Sequence, residues 1–350
     1  MFFASDNGSA VLPEVMAALA AANAGFAPSY GDDAQMAGVR DRIRNLFEAP
    51  DAAVYLVATG TAANALSLAI LTPPWGAVFC HRNAHISEDE CGAPEFYSGG
   101  AKLVLVEGEH AKITPATLAT ALANTPAGSV HHAQIAALSL TNATENGTLY
   151  LPAEVKALTG LARAANLACH MDGARFANAL IRAGCSPAEL TWRAGIDVLS
   201  FGGTKNGLMG AEAVVIFDPA RAWEFELRRK RAGHLFSKHR YLSAQMAAYL
   251  TDGLWLAAAR QANAMAARLS AGIRALPGTA LVHPTEANAV FAAWPRKGHQ
   301  RAQAAGVSYY LWPGSQPIDG PAGELLAARL VCSWNTTEPE VDQVLALIGG

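Results

Sequence analysis

Lys205 is the only charged residue between Asp197 and Glu212, and it follows an apolar run. Ile196 to Phe201 (IDVLSF) leads into Gly202, Gly203 and Thr204, then the lysine, then Asn206 and Gly207. The pattern reads as a buried strand delivering an amine into a tight turn that glycine permits. An amine held there is partly desolvated, and desolvation favours the neutral form, the nucleophile that imine chemistry requires. A buried, paired structural lysine is the plainer reading, and this segment by itself does not decide between them.

Three further features fall at the carboxyl ends of expected strands. Thr59-Gly60-Thr61 is a strand-to-helix junction of small residues, whose free N–H groups and helix dipole suit a phosphate. His85 follows the apolar run Ala77–Cys80 and offers a flat ring. Asp172, in HMDGAR, closes the run Leu167–Met171, with Arg175 three residues on. Taken singly these are an ordinary helix cap, a surface histidine and a capping aspartate. Taken together, anion cradle, ring, carboxylate and amine form one set for pyridoxal 5'-phosphate. The phosphate takes the helix start, the ring stacks on the imidazole, the pyridine nitrogen meets the aspartate and the aldehyde meets the lysine.

The elements that must position these groups alternate. Short apolar strands are expected at Ala53–Ala58, Ala77–Cys80, Lys102–Val106, Ala136–Leu140, Leu167–Met171, Asp197–Phe201 and Ala213–Phe217. Helices are expected at Pro13–Ala22, from about Thr61, and at Pro152–Ala165 and Pro187–Ala194. Alternation of this kind implies an α/β fold: a mostly parallel large-domain sheet covered by helices, with ligands at the strands' carboxyl ends. Past Ser243 the pattern changes to a long alanine-rich helix, Thr251–Leu276, then strand candidates Asn288–Trp294, Ser308–Trp312 and Ala327–Trp334. A last helix opens with Thr337 and Glu340 in capping-box spacing. The expected division is an N-terminal arm (1–15), a large domain (16–248) and a smaller C-terminal α+β domain (249–350), with helix 251–276 as connector.

Composition excludes other classes. With 350 residues, 51% hydrophobic and only 16% charged, much of the surface is expected to be covered, and homo-oligomerisation is the expected cover. No run reaches the ~20 apolar residues of a membrane span. A net charge of −3 argues against nucleic acid. The basic run Arg228–Arg231 (RRKR) reads as a helix face or a local phosphate or carboxylate contact. Cysteines 80, 91, 169, 185 and 332 are odd in number and lack CxxC spacing, so a reducing, cytoplasmic location is expected. No GxGxxG follows the first strand, which disfavours a nicotinamide dehydrogenase. A metal site from His81, His85, Glu88, Asp89 and Glu90 is less simple than a solvated helix face or a subunit contact.

Several separate motifs then converge in order along nearly the whole chain: SDN (Ser5–Asn7), YGDD (Tyr30–Asp33), TGTAANAL, AHI (Ala84–Ile86), DECGAPEF (Asp89–Phe96), HMDGARFANAL and SFGGTKNG. They resemble the low-specificity L-threonine aldolase family, in the β-eliminating-lyase branch of the fold-type-I pyridoxal enzymes. The resemblance implies that Lys205 carries the cofactor, Asp172 partners the pyridine nitrogen and His85 stacks on the ring. It implies that Gly60, Thr61 and Thr204, beside Thr59, hold the phosphate. Ser5, Arg175 and Arg329 would surround the substrate carboxylate, and a guanidinium fork suits that task. His131, next to His132, matches a family histidine near the substrate hydroxyl and is the expected base, acting directly or through water. The family is tetrameric, a dimer of dimers with active sites between chains. Tyr30 and the Arg228–Lys238 region are candidates for groups crossing that boundary, Lys238 and Ser237 standing where many members have arginine. The reaction so implied is cleavage of β-hydroxy-α-amino acids to glycine and an aldehyde. β-Elimination, racemisation or transamination on the same cofactor is the alternative.

Overall fold

The short apolar runs do assemble into one sheet, in the computed structural model describing residues 1–350. Its strands are β1 (Ala53–Val57), β2 (Gly76–His81), β3 (Lys102–Val106), β4 (Gln134–Thr141), β5 (Ala168–Gly173), β6 (Val198–Phe201) and β7 (Glu212–Ile216). Their order across the sheet is β1-β7-β6-β5-β4-β2-β3. Every residue of β2, β6 and β7 is buried, which is why these segments read as continuous apolar runs rather than as alternation: helices cover both faces. At the edge, β3 keeps Lys102 and Leu105 exposed. All neighbours run parallel except β7, which is antiparallel to both β1 and β6. The reason is local, because the Gly202–Ala211 connection is shorter than the dozen or so residues a parallel crossover needs. That short connection carries Lys205.

Helix Gly60–Leu71 is buried along almost its whole length, which explains a sequence apolar on every side. Thr59 caps it, its side-chain oxygen accepting the Ala62 N–H at 3.1 Å. Helices not foreseen from the sequence include Ala34–Leu46, Pro115–Ala123 and Arg240–Tyr249. The basic run lies on Ala222–Arg231. There Arg228 pairs with Glu224, and Arg229 lies 4.9 Å over the Tyr55 ring while donating to the Leu56 carbonyl at 3.3 Å.

The C-terminal part builds a second, antiparallel sheet from β8 (Ala280–Leu281), β9 (Ala289–Pro295), β10 (Tyr310–Leu311) and β11 (Leu325–Val331), ordered β10-β11-β9-β8. Helix Leu254–Ala275 packs Met265, Leu269 and Ile273 into its core, and reaches back through Asn263, whose side chain bonds Asn178 at 2.9 Å. The helix begins at Leu254 rather than Thr251, because Gly253 is left-handed (φ 71°) and Thr251 belongs to the turn before it. The last helix, Glu338–Gly349, carries the expected capping box of Thr337 and Glu340. The N-terminal arm is stitched across both parts. Phe3 exchanges backbone bonds with Ser308 and Val331 and enters the small-sheet core, whereas Leu12 and Val15 enter the large one. Asp6 and Asn7 are thereby held over the carboxyl ends of the large sheet's strands. No helix is long and apolar enough to cross a membrane.

Candidate active site

The ends of β4, β5 and β6 and the start of helix Gly60–Leu71 enclose a cavity of about 390 Å³. Lys205 lines it from a one-turn 3₁₀ helix, Thr204–Asn206, directly after β6. The glycines before it are required by close approach. A Cβ on Gly202 would meet the Ala174 carbonyl oxygen at 2.3 Å, and one on Gly203 would meet that of Ala211 at 2.6 Å. The turn is then clamped. Buried Glu212 accepts the Gly203 N–H at 2.7 Å, and the Asn206 amide donates to the Tyr249 hydroxyl at 2.7 Å and the Trp255 carbonyl at 2.8 Å. Burial pushes the Glu212 carboxyl up to about 7, against the opposing pull of Thr204, the Gly203 N–H and Lys205.

Asp172 is buried at the end of β5, accepting the Ala174 N–H at 2.9 Å and the Asn64 side-chain amide at 2.9 Å. Asn64 donates a second bond, at 2.8 Å, to Glu90, and Glu90 accepts from His85 Nδ1 at 2.8 Å. A chain of bonds therefore runs Asp172–Asn64–Glu90–His85 along one side of the cavity. The bond from Glu90 raises the His85 pKa, outweighing its burial and the Lys205 charge. Burial raises that of Glu90, with His85 and Asn64 opposing.

Thr59, Gly60, Thr61 and Thr204 also line the cavity. The first-turn amides there have no intrahelical acceptor, and a Cβ at Gly60 would meet nothing within 4 Å, so the backbone faces open space. Arg175, also on the lining, is engaged by Asp6 through two bonds, Nε–Oδ2 at 2.7 Å and Nη2–Oδ1 at 2.8 Å. Burial would raise the Asp6 carboxyl, but Arg175, Lys205 and the Asn288 amide hold it below its ordinary value. Arg329 lies close by on β11. Its guanidinium sits 5.3 Å from both the Tyr310 and Trp312 rings and donates to the Ala4 carbonyl at 3.2 Å, yet its Nε is buried without a partner. Burial and the charge of Arg175 lower its pKa.

The fold thus brings Lys205, Asp172, His85, Thr59, Gly60, Thr61, Thr204 and Arg175 to one cavity. Arg329 and Ser5 do not themselves line it: Arg329 lies on β11, bonded to the Ala4 carbonyl, and Ser5 caps the 3₁₀ turn Asp6–Gly8 by accepting the Asn7 N–H, with Asn7 on the wall. His131 is not brought there. It and His132 are exposed in the turn before β4, and β4 runs eight residues before its end reaches the cavity, roughly 26 Å at about 3.3 Å per residue. Within one chain His131 cannot touch a group at Lys205. Tyr30 and Lys238 also lie outside the cavity. Tyr30 is exposed, binds the Ser237 carbonyl through its N–H at 3.1 Å, and has the Lys230 amine 4.9 Å over its ring. Lys238 is exposed in the adjoining turn.

Sequence reasoning assigned no role to Asp6, Asn64, Glu145 or Glu212, and it read Glu90 with its neighbours as a solvated helix face or subunit contact, whereas Glu90 is buried between His85 and Asn64. Asn64 and Glu90 stood in recognisable motifs, and Glu212 was a lone acid opening an apolar strand. Glu145 gave no signal, being one polar residue in a polar turn.

The residues fit pyridoxal 5'-phosphate on the structure's own terms. The backbone-lined pocket at Gly60 suits the phosphate, the buried acceptor Asp172 suits a ring N–H, and Lys205 is the only lysine on the wall. The family profile described as "Beta-eliminating lyase" matches residues 3–295. A "Low specificity L-threonine aldolase" of Pseudomonas sp. (strain NCIMB 10558) is 42% identical over 98% of this chain and 96% of its own length. Its namesake in Pseudomonas aeruginosa is 43% identical over 95% and 93%. Among solved structures, a threonine aldolase of Leishmania major superposes with a TM-score of 0.91 at 28% identity, covering 99% of this chain and 98% of that one. Fold, cavity and likeness over nearly the whole length agree: the chain belongs to the beta-eliminating lyase family, in its low-specificity L-threonine aldolase branch.

Proposed function

We propose that this chain is a pyridoxal-phosphate-dependent aldehyde-lyase that reversibly cleaves L-threonine, L-allo-threonine and related β-hydroxy-α-amino acids to glycine and an aldehyde. The observation that carries the reading is the convergence of Lys205, Asp172, His85 and the Thr59–Thr61 helix start on one cavity. When bound, the cofactor supplies an electron sink for the pair released at Cα. Lys205 would anchor it and His85 would lie beside the ring, while Asp172 would hold a proton on the ring nitrogen. Gly60, Thr61 and Thr204 would donate to the phosphate. Arg329, with its unpartnered Nε, and the free Nη1 of Arg175 orient the substrate carboxylate, fixing which Cα bond stands across the ring. Ser5 supports that end through the Asp6–Gly8 turn.

The purified holoenzyme mixed with L-threonine is expected to release acetaldehyde and glycine in equal amounts. Ammonia without acetaldehyde would transfer the reading to β-elimination. Arg329→Ala is expected to raise KM for L-threonine by about 10-fold or more, since a charge-assisted bond to a carboxylate contributes about 1.5–3 kcal/mol. An unchanged KM in steady-state assays would assign carboxylate recognition elsewhere.

The assembly is read as a homo-oligomer, a dimer of dimers, in which Tyr30 and Lys238 serve a neighbour's cavity. Their exposure outside their own cavity supports this, as do exposed Trp75, Phe96, Trp223 and Leu227. The division into arm, large domain and small domain rests on the two sheets and their separate cores. Five unpaired cysteines agree with a reducing, cytoplasmic setting.

A further inference from the structure

Cleavage of a β-hydroxy-α-amino acid needs a group that takes the proton from the hydroxyl, and His131 stands at the wrong end of β4 to do so in its own chain. Glu145 lies at the right end. It follows β4 in the loop Asn142–Gly147, and its side chain is on the wall of the cavity that holds Lys205 and Asp172. The other acids of the cavity are committed or distant. Asp172 has two donors and Glu212 holds the Gly203 N–H, whereas Asp89 is exposed on the rim. Glu145 is influenced by its neighbours through space rather than through any hydrogen bond.

Its neighbours on the cavity wall are charged. Lys205, Asp172, Arg175 and His85 all act on Glu145, and Glu145 in turn acts on His85, Arg175 and Arg329. It lines the same cavity as Arg175, His85 and Lys205, the groups that would surround a bound amino acid. A half-buried, unbonded carboxylate at that position has no structural task.

We propose that Glu145 is the catalytic base that removes the β-hydroxyl proton, an inference that rests on the aldolase reading above. The O–H bond breaks toward a Glu145 carboxylate oxygen, its electron pair becomes the second bond of the aldehyde carbonyl, and the Cα–Cβ pair remains at Cα. Glu145 then releases its proton to solvent and Cα takes one up, so glycine and aldehyde leave with the carboxylate restored. Burial, with the Asp172 charge, raises the Glu145 pKa against the opposing charges of Lys205, Arg175 and His85. A raised carboxyl is a stronger base, and cleavage is lost as pH falls through that raised value.

Glu145→Gln tests this in the holoenzyme. Acetaldehyde release from L-threonine is expected to fall about 100-fold or more, the scale of general-base catalysis. Deuterium exchange at glycine Cα, which involves no hydroxyl, is expected to persist within a few-fold by NMR. Titration of the apoprotein with pyridoxal phosphate should keep its affinity, and Glu145→Asp should recover part of the cleavage. Three outcomes overturn the assignment: cleavage within a few-fold of wild type, equal loss of cleavage and exchange, or loss of cleavage from His131→Asn while Glu145→Gln keeps it. Failure of the wild-type protein to release acetaldehyde would instead refute the aldolase reading.

Discussion

Lys205→Ala is expected to remove the visible absorption of the bound cofactor and to lower turnover by about 10³-fold or more, a barrier increase of about 4 kcal/mol. The expectation comes from position as much as from residue type. The turn Thr204–Asn206 is fixed from three sides, by Glu212 on the Gly203 N–H, by Tyr249 and Trp255 on the Asn206 amide, and by backbone packed against Gly202. The amine is therefore delivered to one point without a search, and no other lysine lines the cavity to replace it. Truncation at Cβ leaves those three clamps intact, so the thermal midpoint of the apoprotein should change little while the spectrum is lost. Borohydride treatment supplies a second readout. It should fix cofactor to the peptide containing Lys205 in the wild type and to no peptide in the variant. Cofactor fixed elsewhere, or turnover near wild type, would remove Lys205 from the chemistry.

What the sequence disclosed, and what it concealed, follows from the range of the interactions involved. Groups placed by their own strand end were legible: Lys205 after β6, Asp172 closing β5 and Thr59 opening a helix each sit where a local apolar run stops. Groups placed by the meeting of distant segments were not. Asp6 engages Arg175 only because Phe3 is stitched to Ser308 and Val331, from which most of the chain separates it. Glu145 is half-buried by what packs over the loop, and nothing within TNATENG records that. His131 matched in type and order, yet it precedes the strand expected at Ala136–Leu140 and so stands at that strand's amino end, away from the carboxyl ends where ligands gather. The antiparallel β7 was obscured for a related reason: its residues look like those of any buried strand, and only the short connection before it betrays its direction.

Asp172→Asn is expected to retain cofactor and lose about 10³-fold in turnover. An opposite charge about 4 Å from the ring nitrogen is worth about 4 kcal/mol at an effective dielectric near 20, and each 1.36 kcal/mol is about tenfold in rate. The substitution is well suited to isolating that charge, because the surroundings can accept an amide. Asp172 now takes one N–H from Ala174 and one from Asn64, while the Asn64 carbonyl oxygen is buried without a partner. Asparagine can keep the Ala174 bond with its own oxygen and donate its NH₂ to that free Asn64 oxygen once the Asn64 amide turns over. The turn would weaken the Asn64–Glu90 bond, so a smaller change at His85, one link further along, is expected to accompany the main loss. Asn64→Ala separates the two effects: it removes the connection and leaves the carboxylate, and should cost far less turnover than Asp172→Asn. If the two variants lose turnover equally at full cofactor occupancy, the positioning of His85, and not the charge on Asp172, governs the rate.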